Sequence, residues 1–400
     1  MLTIALTHHV HARKELLLDR SLRVVSRSGL NPTERALIEL LPSLGATPLA
    51  NPLFLGGRTG ALAMAMWLRG QAQGTLTLHT FDAYTAETLA RNLAENHAPQ
   101  SADSATTLRV ETATDLRALL TPGATAFWQM TPGDGTAEQH LWMLEQLLCQ
   151  GAAARLIIAA ETLNPTFLER LRKACAKLTL RKEKALTLLI ANITKPLDPA
   201  KLPDHRATFE VSLKGHAPIT LETLPGCFCH RRADMGGLAL TEVVAEQVAF
   251  EPGDRVMDLG CGCGMDGLLL ATAFPDKALR IDYQDSNAAA REATCANLRR
   301  HPHVARFFFS AQGEGDAGAY DLLLANPPYF GDWRIAEHFI RTAARLLKPR
   351  ALLAFVSKRQ SKPQELIESA GFTLLGAFPR RGYTVLLAER APHAGGPAAP

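Results

Sequence analysis

Two short stretches of this 400-residue chain carry side chains whose types and spacing suit them to chemistry. The first reads Asp258-Leu259-Gly260-Cys261-Gly262-Cys263-Gly264 and closes a short apolar segment. Glycines at alternate positions let a backbone turn tightly at the end of a strand and leave no Cβ in the path of a ligand approaching the sheet edge. The GxGxG spacing departs from the GxGxxG turn that cradles a pyrophosphate, and an acidic residue just ahead of the turn opposes one. The next apolar segment holds Asp282 and Asp285, and a carboxylate at its end can accept both hydroxyls of a ribose. The second stretch, Asn326-Pro327-Pro328-Tyr329, follows the apolar Asp321-Leu322-Leu323-Leu324-Ala325. An aryl amine is a poor nucleophile because its lone pair is delocalised into the ring. If the Asn326 side-chain oxygen and the Pro327 carbonyl each accept one amine hydrogen, the nitrogen turns pyramidal and its lone pair gains a direction. Proline fixes the backbone there without adding a competing donor, and Tyr329 can stack on a planar base.

These residues need strands to carry them. From Ala207 onward the apolar patterning alternates strand and helix: DRVMDL, then the glycine turn and a helix, KALRIDYQ, the helix AAAREATCANLRR, DLLLA, the helix AEHFIRTAARLLK, ALLAFVS, QELIESAGF and YTVLLAER. That order predicts a parallel sheet with crossover helices, which places ligands beyond the carboxyl ends of the strands. The N-terminal half repeats the pattern with PLANPLFLGGRTG, ALAMAMWLRG, TLTLHTF, TAETLARNLAENH, ATAFWQM, AEQHLWMLEQLLCQ, ARLIIAAET and the helix PTFLERLRKACAKL. Both halves show a glycine turn after a first strand, an acidic residue near the end of the second (Asp82, or Asp282 to Asp285), and a helix with a near-terminal asparagine (Asn96, Asn297). The expected fold class is therefore α/β, with two Rossmann-like domains related by duplication. Three prolines between Lys195 and His205 mark the boundary, giving domains over 1–200 and 201–390 and a small Gly/Pro-rich tail over 391–400.

At 47% hydrophobic residues the chain can bury two cores, and a formal charge of +4 favours a polyanionic partner only slightly. Histidines and charges interrupt the first twenty residues before any apolar run long enough for export or spanning, so a cytoplasmic protein without membrane association is expected. Cys227/Cys229 and Cys261/Cys263 each have one intervening residue instead of the two to four of a zinc pair, and no metal is expected. The histidines His8, His9, His11 and His338 form no convincing metal or catalytic cluster.

VMDLGCGCG, the DSNAAAREATCAN helix opening, YDLLLANPPY and LLKPRALLAFVS together resemble class I S-adenosylmethionine-dependent methyltransferases. The duplicated organisation and the segment LPGCFCHRRADMGGLAL, with Phe228, Asp234, Gly236 and Gly237, are similar to bacterial ribosomal RNA guanine-N2 methyltransferases. In that family a degenerate copy of the domain precedes an active one. The resemblance implies that Asp258, Gly260, Gly262 and Gly264 surround the methionyl portion of S-adenosylmethionine and that Asp285 binds its ribose, with Asp282 the alternative. It implies catalytic roles for Asn326, Pro327, Pro328 and Tyr329, and an adenine site near Phe309, Ser310 and Ala311 that lacks the family's frequent acidic residue. Ribosomal RNA or a ribosomal subunit is the implied partner. Where the family commonly has phenylalanine and histidine after the prolines, this chain has Tyr329 and Phe330. The four-residue motif also serves adenine-amino and protein glutamine-amide methyltransferases, which stand as alternatives, and a noncatalytic RNA-binding protein stands behind them.

The N-terminal turn, Gly56-Gly57-Arg58-Thr59-Gly60, lacks the acidic lead-in, and Trp128-Gln129-Met130-Thr131-Pro132 stands where the second half has its Asn-Pro-Pro motif. The first domain is thus expected to be a degenerate copy. Its cations Arg170, Arg172, Lys173, Lys177, Arg181, Lys182 and Lys184 offer a phosphate-contacting surface, centred on Arg172, Lys173, Lys177 and Arg181, that Arg380 and Arg381 could extend.

Overall fold

A computed structural model describes residues 2–6, 14–17, 22–26, 30–96, 106–131, 133–149, 153–183, 185–328 and 333–392. The chain divides into two compact units, Met1–His205 and Arg206–Pro400. Tyr329, Pro132, Lys184, the three early histidines and all but the first two residues of the 391–400 tail lie outside the described residues.

In the first unit β1 (Leu2–Leu6), β2 (Lys14–Leu17) and β3 (Leu22–Ser26) make a small sheet in the order β1-β3-β2. After α1 (Pro32–Leu40) come β4 (Leu49–Ala50), β5 (Leu53–Leu55), α2 (Ala61–Leu68), β6 (Ala72–His79), α3 (Ala83–Asn96) and β7 (Thr106–Glu111). They are followed by β8 (Ala124–Met130), α4 (Ala137–Leu147), β9 (Ala153–Ala160), α5 (Pro165–Ala174), β10 (Cys175–Glu183) and β11 (Leu186–Ile193). The principal sheet runs β7-β6-β5-β8-β9-β11-β10, and β4 also pairs with β6. The helix predicted over PTFLERLRKACAKL stops at Ala174. Cys175 instead opens β10, where Leu178 and Leu180 stand opposite Ala191 and Leu189, so cross-strand pairing overrides the helical pattern.

The second unit opens with the hairpin β12 (Ala207–Val211) and β13 (Ile219–Thr223) and continues with α6 (Met235–Gln247), β14 (Arg255–Leu259), α7 (Met265–Ala273), β15 (Arg280–Asp285) and α8 (Ala288–Arg300). It ends with β16 (Ala305–Phe309), β17 (Tyr320–Ala325), α9 (Arg334–Leu346), β18 (Leu347–Ser357), α10 (Ser361–Ser369), β19 (Phe372–Arg380) and β20 (Tyr383–Arg390). Its sheet runs β16-β15-β14-β17-β18-β20-β19, the order of the first unit strand for strand. Only the pairings of β20 are antiparallel.

Both faces of the second sheet are covered, which is why its central strands read as unbroken apolar runs. Val256, Leu322 and Leu324 point into a core with Leu240 and Val244 of α6 and Leu268 of α7. Their neighbours Met257, Leu323 and Ala325 point to the opposite face, against Ile340 and Leu346 of α9 and Ile367 of α10. Side-chain oxygens start the helices that face the site: Asp234 accepts the Gly237 N–H at the head of α6, and Asn287 accepts the Ala289 N–H at the head of α8.

Candidate functional site

Strand register assembles the site. Leu259 at the end of β14 is level with Gln284 of β15 on one side and Ala325 of β17 on the other. One residue further along, Gly260, Asp285 and Asn326 leave the sheet side by side. Adjacent strands lie about 4.8 Å apart, so Asp285 and Asn326 flank the glycine turn across roughly 10 Å.

The turn is open in one direction. Among the described residues nothing lies within 4 Å of the position a Cβ on Gly262 (φ +58°) would take, whereas a Cβ on Gly260 would meet the Phe339 ring at 2.9 Å. Gly264, at φ +80°, starts α7 in the left-handed conformation that glycine adopts without strain. The turn is anchored from below, where Gly260 and Cys261 donate to the Gln284 carbonyl, and from the side, where Thr294 donates to the Gly262 carbonyl.

Carboxylates surround this opening. Asp285 is half-buried; one oxygen accepts the Gly262 N–H at 2.9 Å and the other the Asn287 N–H at 2.8 Å. A carboxylate has about four acceptor positions, more than these two bonds use. Asp258 is 3% exposed and accepts the Gly267 N–H at 3.0 Å. Burial pushes its carboxyl up to about 7 against that hydrogen bond, and the charge of Asp285 adds to the rise. Asp266, in the first turn of α7, is pushed well above the carboxylate range by burial and then by Asp258 and Asp234. Such crowding of acids in a buried pocket suits a cationic ligand, whose charge brings their proton affinities back down.

Asp282, three residues earlier on β15, is occupied elsewhere. It accepts from Tyr320 Oη at 2.7 Å, from Arg306 Nε at 3.0 Å and Nη2 at 2.6 Å, and from Arg255 Nη2 at 3.3 Å. Burial raises its carboxyl, but the hydrogen bonds from Arg306 and Tyr320 outweigh it and hold the group below its ordinary value. Beside the end of β15, the Ser310 N–H donates to the Asp285 carbonyl and Gln284 Nε2 to the Ser310 carbonyl. The Arg291 guanidinium lies over the Phe309 ring at 4.3 Å.

On the β17 side, Asn326 donates from Nδ2 to Asp234 Oδ2, the same oxygen that receives the Gly237 N–H at 2.9 Å. Among the described residues nothing donates to Asn326 Oδ1. A Cβ on Gly236 would sit 3.2 Å from that oxygen. Pro327 is buried and Pro328 half-buried. Phe228 is 65% exposed and Met235 42% exposed. The role of Asp234 in holding Asn326 was not read from the sequence. Its signal was there as a helix-capping aspartate before two glycines, but its partner lies 92 residues away.

The corresponding place in the first unit is filled. Gly56 and Gly60 keep φ of +74° and +77°, but Arg58 stands where the second unit has Gly262, and its guanidinium pairs with Asp134. Gln129, level with Gly56 as Asn326 is with Gly260, packs its amide against Gly57 and bonds to the buried Glu34. Glu34 also accepts from the Thr59 hydroxyl at 2.6 Å. What remains is a cavity of about 10 Å³ lined by Phe54, Gly57, Gly60, His79 and Gln129, room for one water molecule.

Among the sequence-selected cations, Arg172 and Lys177 are exposed, Lys173 pairs with Glu169, Arg181 with Glu183, and Arg170 with Glu145. Arg380 and Arg381 each form a two-pronged pair, with Glu246 and Glu242. Burial pushes the thiols of Cys227 and Cys261 well above their usual range and that of Cys263 up to about 12. Among the described residues no group of His, Cys, Asp and Glu could hold a metal ion, and no helix is long and apolar enough to cross a membrane.

Comparison with known proteins gives this geometry its relatives. The family model of the methyltransferase small domain matches residues 218–386. Ribosomal RNA small subunit methyltransferase C of Chromohalobacter salexigens is 30% identical over 244 residues, covering 59% of this chain and 68% of that protein. The protein of the same name from Hahella chejuensis is 30% identical over 176 residues, 42% of this chain and 49% of its own length. Against several such relatives the chain spans about half of their length. Among solved structures, a T. thermophilus 16S rRNA guanine-N2 methyltransferase in complex with AdoMet and guanosine superposes with a TM-score of 0.69 at 20% identity, over 95% of this chain and 98% of that one.

Proposed function

This chain belongs to the ribosomal RNA small subunit methyltransferase C family, and from that premise we propose that it transfers a methyl group from S-adenosylmethionine to the exocyclic N2 amine of a guanine in small-subunit ribosomal RNA. The observation that carries this reading is the clear space over Gly262, bounded by Asp285 on one side and Asn326 on the other, in a pocket crowded with carboxylates. A dianionic pyrophosphate is repelled there, and a ligand bearing an ammonium and a sulfonium is attracted.

S-adenosylmethionine supplies an electrophilic methyl group. Asp285 stands at the end of β15 beside Gly262, and the complete engagement of Asp282 with Arg306, Arg255 and Tyr320 favours Asp285 as the acceptor for the ribose hydroxyls. Asp258, Gly260, Gly262 and Gly264 line the methionyl end. Asn326 Oδ1 and the Pro327 carbonyl accept the two amine hydrogens, which points the nitrogen lone pair at the carbon to be attacked. No strong base is needed beforehand, because the nitrogen becomes acidic only after the new N–C bond forms and its proton then passes to water. Tyr329 supplies the stacking face for the base.

The first unit keeps the fold and has lost the site. We assign it a part in holding RNA through Arg172, Lys173, Lys177 and Arg181. Exposed ion pairs such as Lys173–Glu169 and Arg181–Glu183 contribute little, so these cations can exchange their partners for phosphate. A cytoplasmic enzyme follows from that substrate.

The test is to incubate wild type and Asn326→Ala with labelled S-adenosylmethionine and undermethylated small-subunit RNA and to map the product by mass analysis. Wild type is expected to give N2-methylguanine. Asn326→Ala is expected to bind the cofactor normally and transfer at least on the order of a hundredfold more slowly. Methyl on adenine or on protein glutamine overturns the substrate, and undiminished transfer by Asn326→Ala overturns the mechanism.

A further inference from the structure

We propose that Asp234 selects the base as well as positioning Asn326: its carboxylate reads the ring N1–H on one side of the guanine amine, and thereby rejects amines that have no such donor beside them. The inference rests on the guanine reading above and deepens it. Asp234 belongs to no part of the glycine turn or the Asn-Pro-Pro motif. It reaches the site because it caps α6, and the cap and the contact with Asn326 use the same oxygen, Oδ2. With Nδ2 committed to Asp234, the Asn326 amide can turn only its Oδ1 toward an incoming amine, so the acceptor face is fixed before substrate arrives.

The second Asp234 oxygen is left over. Its one contact among the described residues is the Cys229 thiol at 3.6 Å, a weak donor at long range. Gly236 keeps the approach clear: a Cβ there would lie 3.2 Å from Asn326 Oδ1 and 3.3 Å from Asp234 Oδ2. An amine bound to Asn326 Oδ1 therefore lies next to the Asp234 carboxylate, which meets Asn326 through Oδ2 and has Oδ1 to offer a second donor. Guanine places an N1–H donor directly next to its amine, and the pair of donors matches the pair of acceptors. Adenine places the N1 lone pair next to its amine, and a glutamine amide places its carbonyl oxygen there. Either one sets an acceptor against a carboxylate, leaving both without a partner and adding repulsion. The three acceptors that an Asn-Pro-Pro-Tyr motif tolerates are thus separated by one residue outside it.

Phe228 and Met235, on the segment that leads into α6 and at its start, expose apolar surface that suits the face of a base. Cys229, the residue after Phe228, takes a left-handed φ of +53° where its thiol meets Asp234, so the segment is shaped around the carboxylate.

The test uses the full chain and Asp234→Asn, which keeps a good helix cap and an oxygen for Gly237 while removing the charge and offering N–H donors in place of a bare acceptor. Two RNAs are compared, one with guanosine at the mapped acceptor site and one with 2-aminopurine, which keeps the amine but presents a lone pair at N1. Wild type is expected to favour guanosine by roughly tenfold or more, the discrimination of one charge-assisted hydrogen bond. Asp234→Asn is expected to slow transfer to guanosine and shrink the guanosine to 2-aminopurine ratio at least tenfold, with unchanged melting temperature and cofactor affinity. A merely structural role lowers both rates together and leaves the ratio intact, and that result overturns the inference while the guanine assignment stands. Wild-type product on adenine or glutamine overturns both.

Discussion

Replacing Asp258 with asparagine should make the second unit more stable and less able to hold S-adenosylmethionine. The side chain is 3% exposed, and the folded protein holds its carboxyl near 7 against 3.8 for an ordinary aspartate. A folded-state value raised above the unfolded one means that the folded state binds the proton more tightly. The associated stability is fully present below about pH 4 and is lost as the pH rises through about 7. At about 1.4 kcal/mol per tenfold in proton affinity, ionising Asp258 in the free folded protein costs about 4 kcal/mol at pH 8. Asparagine has nearly the same shape, can still accept the Gly267 N–H, and never ionises. Relaxation of the pocket in the wild type trims the difference, leaving a gain of about 2 to 4 kcal/mol at pH 8 that shrinks toward zero near pH 4. The measurement is urea unfolding of wild type and Asp258→Asn at both pH values, following the transition that S-adenosylmethionine shifts, with calorimetric titration of the cofactor in parallel. Cofactor affinity of wild type should rise between pH 6 and 8 as Asp258 ionises, and that of the variant should be lower and flat. A variant no more stable than wild type at pH 8 refutes the claim that this carboxylate is held at a free-energy cost for the sake of a cationic ligand.

Asp285→Ala should weaken cofactor binding by roughly ten- to a hundredfold, the loss of hydrogen bonds to a charged group, as read by calorimetry. Asp282→Ala should leave that affinity nearly unchanged and instead lower the unfolding midpoint, because the buried Tyr320 hydroxyl loses its acceptor while Arg306 and Arg255 keep only Asp316. Neutralising Arg172, Lys173, Lys177 and Arg181 together should weaken RNA binding and flatten its dependence on salt without moving cofactor affinity; an unchanged slope in filter binding across salt removes these residues from the RNA surface.

The parts legible in the sequence are those whose chemistry is local. The strand, glycine turn and helix from Asp258 to Gly267 announce themselves because the turn needs left-handed glycines and the strand needs a continuous apolar run, both readable within ten residues. The duplication is legible for the same reason, and the two sheets share one strand order. Choices that depend on distant partners were closed to sequence. Asp282 and Asp285 look equivalent until Arg255 from β14, Arg306 from β16 and Tyr320 from β17 converge on the first of them. Arg380 and Arg381 read as free surface charge until Glu246 and Glu242 of α6 face them. The helix drawn through Leu178 ended four residues early because apolar spacing alone does not tell a helix end from a strand that pairs with β11.

The first unit shows why a fold outlives its site. What keeps a strand-turn-helix junction folded is the pair of glycines at its ends, and those remain: Gly56 and Gly60 hold φ of +74° and +77°, beside +74° and +80° for Gly260 and Gly264. What admits a ligand is the middle of the turn, where Gly262 is open and Arg58 is not. Gln129 is turned inward against Gly57 and Glu34, its amide and their carboxylate satisfying one another in a buried space. That arrangement echoes Asn326 and Asp234, a side-chain amide gripped by a carboxylate from the preceding helix, but here the pair closes the pocket that its counterpart holds open. Reopening the first site thus requires Gln129 and Glu34 to change together. Removing either one leaves the other buried and short of a hydrogen bond, a penalty of about 1 to 3 kcal/mol.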